Sequence, residues 1–182
     1  MARPGARHPG LSPPLTSTTR ARLPVVTEPS LQRRYSPASR CFGCGPANEQ
    51  GLRIESHDAP GTPGELRAVW QPLPHHAAFD GILNGGVIGT LLDCHGNWTA
   101  AMHLMREHDL AGPPGCVTAE YAIRLRRPTP VDRPVHLRAW PVKTTGDRVV
   151  VDAELTSDGI ITATCRGTFV AVGADHPAFQ RW

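Results

Sequence analysis

Apolar and polar positions change rhythm three times along this chain. The first forty residues, beginning MARPGARHPGLSPPLTSTTRARLPVV, follow neither a period of two nor one of 3.6. From Gly51 the short runs GLRIESH and ELRAVW flank the turn-rich DAPGTPG, which predicts a hairpin with a long loop. QPLPHHAAFDGIL has no regular period. GILNGGVIGTLLDCHGNWTAA then opens a stretch in which Val87, Ile88, Leu91, Leu92, Ala101, Met102 and Met105 recur at helical spacing. The run lasts to about His108, where AGPPG stops it, and predicts a helix of about 20 residues and roughly 30 Å.

After that helix the pattern is that of strands. Val117, Ala119, Tyr121, Ile123 and Leu125 alternate with Thr118, Glu120, Arg124 and Arg126. VHLRAWPVK reads as a second strand. RVVVDAEL sets Val149, Val151, Ala153 and Leu155 on one face, and the Asp158-Gly159 pair signals a tight hairpin. Ile161, Ala163, Cys165, Phe169 and Ala171 alternate in the last strand. A helix apolar on most sides must be covered. A strongly curved antiparallel sheet folded around it meets that need, so the fold class expected is α+β, because helices do not alternate with strands.

Composition divides the chain in two. Its 182 residues favour one domain, and many of the 19 prolines fall near the N-terminus. Residues 1–35 are expected to form a disordered leader rich in Pro and Arg, and residues 36–182 the single folded domain. The leader's arginines resemble a transit peptide, but no amphipathic stripe accompanies them. No run of 18 apolar residues exists, so no membrane span is expected, and a cytoplasmic protein is. The net charge of +3 owes much to the leader. A folded part near neutrality argues against a nucleic-acid surface. Five cysteines without a secretion signal read as reduced thiols.

Candidate chemistry gathers on the predicted helix. Gly85 and Gly86 stand at its start, where N–H groups lack partners and the helix dipole is positive, a setting for a phosphate, a carboxylate or an oxyanion. Asp93 sits inside the apolar stretch, where a carboxylate must be paired or used. Its helical neighbours Gly89, Gly96 and Asn97 are small or polar, so it faces a cleft. Eight residues separate Gly85 from Asp93, about 12 Å along a helix. One chain cannot bring both to one carbon, whereas two chains with antiparallel helices can, which places the site at a dimer interface. Asn97, one turn beyond, is placed to orient the carboxylate or to bind substrate.

Cys41 and Cys44 have the half-site spacing of a zinc knuckle, CFGC, but no second Cys or His pair follows at a matching interval. Packing is the expectation there, with no metal. Cys94 and His95 point about 100° apart on a helix and are not expected to act as a dyad. Trp70, Trp98 and Trp140 read as core or interface, with Trp98 able to border a pocket.

The order of elements resembles the hotdog fold. GILNGGVIGTLLD resembles the His-Gly-Gly…Asp signature of PaaI-type acyl-CoA thioesterases. CVTAEYAIRLRRPTPV resembles their next strand with its basic-Pro turn, and CFGCGPANEQGLRI and GTFVAV are also similar to that group. The likeness spans about residues 40 to 173. It implies a homodimer, or a tetramer of two dimers, that hydrolyses an acyl-CoA or acyl-carrier thioester without a cofactor. Gly85 would then polarise the thioester carbonyl through its N–H, with Gly86 beside it on the substrate. Asp93 would act as nucleophile or general base, and Thr118 would help hold the water or the acid. Arg126 and Arg127 would meet coenzyme A phosphates, or else form a solvated strand end. Asn84 stands where many relatives have histidine and cannot shuttle a proton. That departure keeps open a non-catalytic protein binding acyl-CoA or a small apolar ligand. A dehydratase, which relies on a catalytic histidine, fits less well.

Overall fold

A computed structural model describes residues 28–179. Helix α1 (Leu31–Tyr35) is followed by strands β1 (Ser56–Asp58) and β2 (Leu66–Trp70), a 3-10 turn at Pro74–His76, and a small hairpin of β3 (Ala77–Phe79) and β4 (Ile82–Leu83). Helix α2 (Gly85–Glu107) comes next, and then β5 (Cys116–Leu125), β6 (Val135–Thr145), β7 (Arg148–Ser157) and β8 (Ile160–Ala171). Six strands form one antiparallel sheet in the order β1-β2-β6-β7-β8-β5, leaving β5 at an edge. The 23-residue α2 packs against this sheet, as the apolar pattern predicts. No helix among the described residues is long and apolar enough to cross a membrane.

Leu91, Leu92, Trp98, Ala101 and Leu104 of α2 and Leu137, Val149, Val151, Leu155 and Phe169 of the sheet are almost wholly buried. Each large side chain so covered contributes about 1.5–3 kcal/mol. Asp158 (φ 51°) and Gly159 (φ 76°) form the expected turn, both in the left-handed region such a hairpin requires.

Three features depart from the pattern reading. Residues inside the expected leader are ordered: Ser30 caps α1, Leu31 and Gln32 are buried, and Gln32 exchanges hydrogen bonds with Ser56 of β1 (3.0 and 2.8 Å). The folded domain therefore begins before residue 36, while residues 1–27 lie outside the described part. The aperiodic stretch before α2 holds the β3–β4 hairpin. Finally, the registers of β5 and β8 shift between Thr118 and Glu120. This bulge moves Thr118 onto the face of Tyr121 and Ile123, opposite to where strict alternation puts it. A similar shift between β7 and β8 leaves Ile161 exposed.

Below α2 lies a buried polar chain. The neutral ring of His95 must donate Nε2–H to the Leu66 carbonyl (3.2 Å), since a carbonyl only accepts. Nδ1 then accepts from Ser56 Oγ (2.9 Å), which in turn accepts from Gln32 Nε2. Burial pushes the His95 pKa down to about 4, consistent with a structural, uncharged imidazole.

Candidate active site

Asn84 starts the site by ending its own strand. Its Oδ1 accepts from Gly86 N (2.7 Å) and Val87 N (3.3 Å), an N-cap that takes two of the helix's orphan donors. Among the described residues no acceptor within the chain takes the Gly85 N–H, the donor of the Gly-Gly pair that the cap leaves over. This corrects the expectation for Gly86, whose N–H is already used by the cap. The bare flank of α2 here is closed only by β5: a Cβ on Gly85 would lie 3.0 Å from Leu125 Cδ1, and one on Gly89 3.2 Å from Ile123 Cδ1.

Two turns on, Asp93 is half-buried and its Oδ1 accepts from Thr118 Oγ1 at 2.7 Å. The β5 bulge makes this bond possible. Burial raises the Asp93 pKa, the Thr118 hydroxyl acts in the opposite sense, and the nearby Cys41 sulfur raises it again. Among the described residues Oδ2 has no partner, and Asp93 lines a cavity of about 280 Å³ with Cys41, Asn97, Cys116 and Thr118.

Asn97 joins this wall. It does not hold Asp93; its Nδ2 donates to the Cys116 carbonyl (3.2 Å), while its buried Oδ1 has no partner among the described residues. Trp98 borders the same cavity, as expected, and donates Nε1–H to Cys44 Sγ (3.4 Å).

The arginines stand apart. Arg126 follows the alternation of β5 onto the face opposite Ile123 and Leu125, and its Nε donates to Thr164 Oγ1 (3.2 Å). It lines a separate depression with Trp140, Asp152 and Arg166. Sheet alternation therefore removes Arg126 from the Asp93 cavity. Arg127 is exposed at the strand end, its N–H bonded to the Thr162 carbonyl.

The cysteines are the group whose arrangement the spacing concealed. The loop carrying Cys41 and Cys44 lies against α2, and the three sulfurs of Cys41, Cys44 and Cys94 lie within 4.8 Å of one another. Hydrogen bonds from the Cys44 and Cys94 thiols, and from the backbone N–H groups of Cys44 and Gly43, hold the Cys41 thiol far below its ordinary range. The same contacts push Cys44 and Cys94 up. Cys116 and Cys165 are raised by burial, to about 12 and about 11.

Sheet, helix and cleft together define a class, and the comparisons agree with it. The family model of the thioesterase superfamily matches residues 80–164, from the β3–β4 turn into β8. That stretch is similar to a thioesterase-superfamily domain, and the architecture around it is the hotdog fold. Among solved structures, a thioesterase superfamily protein from Shewanella loihica is 26% identical over 70% of this chain and 98% of its own, with a TM-score of 0.56. A putative thioesterase, a phenylacetic acid degradation-related protein from Ralstonia eutropha, matches 78% of this chain and 99% of its own at 19% identity and TM-score 0.60. The PaaI protein of the E. coli phenylacetic acid degradation operon matches 67% and 81% at 15% identity and TM-score 0.57. A search of curated proteins found no match.

Proposed function

We propose that this protein is a homodimeric acyl-CoA thioesterase whose two reaction centres are each shared between chains. One observation carries the reading: a half-buried carboxylate, Asp93, has one oxygen fixed by Thr118 and lines a cavity. Water held on Oδ2 gives a proton to the carboxylate as its oxygen attacks the thioester carbon. The carbonyl oxygen becomes an oxyanion that accepts from the partner chain's copy of the Gly85 N–H. Collapse of that intermediate breaks the C–S bond, and the thiolate takes the proton back from Asp93. Acid and free thiol leave, and the carboxylate is restored.

A donor of this kind stabilises the developing charge by about 3–4 kcal/mol. Loss of histidine at position 84 does not disable such a route, because Asn84 supplies the cap and the proton stays on Asp93. Edge strand β5 supports the pairing: it is ten residues long and carries exposed Tyr121 and Leu125 with one unpaired backbone side. Arg127, exposed at the end of β5, is free of the Arg126 depression and would meet the phosphates of coenzyme A.

The test is a panel of acyl-CoAs with a free-thiol readout. Turnover is expected with at least one acyl group, falling by about 10²–10⁴-fold in Asp93→Ala, the range for loss of a general base. Equal release by the variant and the native protein leaves only the ligand-binding alternative.

A further inference from the structure

We propose that Cys41, Cys44 and Cys94 form a binding site for a thiophilic divalent metal ion of the zinc type, with three protein ligands and a fourth position open to the Asp93 cavity. The inference does not depend on the hydrolase reading.

Spacing alone hides the site because its third ligand lies 50 residues beyond the CFGC pair, on a different element. Helix α2 brings Cys94 back to the loop, where Cys41 Sγ and Cys94 Sγ are 3.8 Å apart. Thiolates around a tetrahedral zinc at about 2.3 Å stand about 3.8 Å from each other. All three sulfurs lie within 4.8 Å of one another, a spread that small side-chain adjustments close onto one ion. Three sulfur donors and no carboxylate select a soft ion over magnesium or calcium.

The surroundings are those of a built site. Trp98 Nε1–H points at Cys44 Sγ, the kind of outer contact that fixes a ligand's orientation. Gly43 is the residue that lets the loop descend onto α2, since a Cβ there would lie 2.3 Å from Cys94 Sγ. A second observation points the same way: the buried Asn97 Oδ1, unpartnered within the described residues, lines the cavity onto which the open fourth position faces. A metal-bound water in that cavity could donate to it. The ion would thus tie the N-terminal loop to the central helix and form one wall of the cleft.

Cobalt(II) titration of the reduced full-length protein without oxygen tests this, with zinc as competitor and metal content of the purified protein measured in parallel. The expected result is an intense sulfur-to-cobalt charge-transfer band saturating at one ion per chain and displaced by zinc. In Cys41→Ser, at an exposed position, affinity should fall by more than about 100-fold, beyond the range for an outer-shell change. Cys94→Ser should do the same, and Cys165→Ser should leave binding unchanged. Circular dichroism confirms that the variants are folded, and the native titration stands even if Cys94→Ser is not. Absence of the band in native protein, its survival in Cys41→Ser, or a disulfide within the trio of the anaerobically purified protein would overturn the proposal.

Discussion

Thr118 shows how a single residue can be visible in sequence and misplaced by it. Alternation along CVTAEYAIRL sets it on the polar face, yet the bulge before Glu120 turns it to the helix, where it donates to Asp93. Removing the hydroxyl while keeping the shape tests its use. Thr118→Val should lower kcat about tenfold with little change in KM, in line with a charge-assisted hydrogen bond of about 1.5 kcal/mol. Unchanged kcat would reduce the contact to packing. Asp93 and Gly85 could be singled out together because a carboxylate in an apolar run adds weight to glycines at a helix start, which alone are a weak signal. The metal-type trio was not legible, because contact order and not spacing brings Cys94 to Cys41 and Cys44. Spacing could not show that the cap consumes the Gly86 N–H, or that alternation sets Arg126 away from Asp93 of its own chain.

Among elements, the long helix and the four late strands follow directly from periods of 3.6 and 2, whereas the short ones do not. Helix α1 has five residues and the β3–β4 hairpin fewer than that per strand, too few to establish a period. Tertiary contacts hold them. In α1 the contact is the Gln32–Ser56–His95 chain, so Ser56→Ala should cost about 1–3 kcal/mol by leaving buried partners unsatisfied. A urea midpoint equal to that of native protein would show that the chain carries no stability.

At the start of β2, Glu65 is held down to about 2 by Arg138 first, and also by Arg67, against the cost of its burial. A carboxylate with a folded pKa below its unfolded one contributes stability above about pH 4.5 that is lost as pH falls toward 2. Arg138→Gln should flatten that part of the urea-midpoint profile and cost about 1 kcal/mol at neutral pH, since Arg138 is half exposed. An identical slope between pH 4.5 and 2.5 in both proteins would assign the acid loss elsewhere.

For the molecule as a whole, the decisive dimension is the length of α2 between Gly85 and Asp93, about 12 Å. That separation and the unpaired edge of β5 are the grounds on which two chains per centre are proposed. Mixed dimers of Gly85→Pro and Asp93→Ala measure this directly. Proline suits the first helical position and removes the N–H, its Cβ meeting only the movable end of Leu125 at 3.0 Å, and Asn84 already has the extended backbone (ψ 132°) that a following proline requires. Each variant alone should be inactive. After subunit exchange at equal concentrations, half of the dimers are mixed, and each of these keeps one centre with a native Gly85 from one chain and a native Asp93 from the other. A shared centre predicts recovery to about a quarter of native acyl-CoA hydrolysis. A mixture whose subunits demonstrably exchange but which stays as inactive as its parents would contradict it.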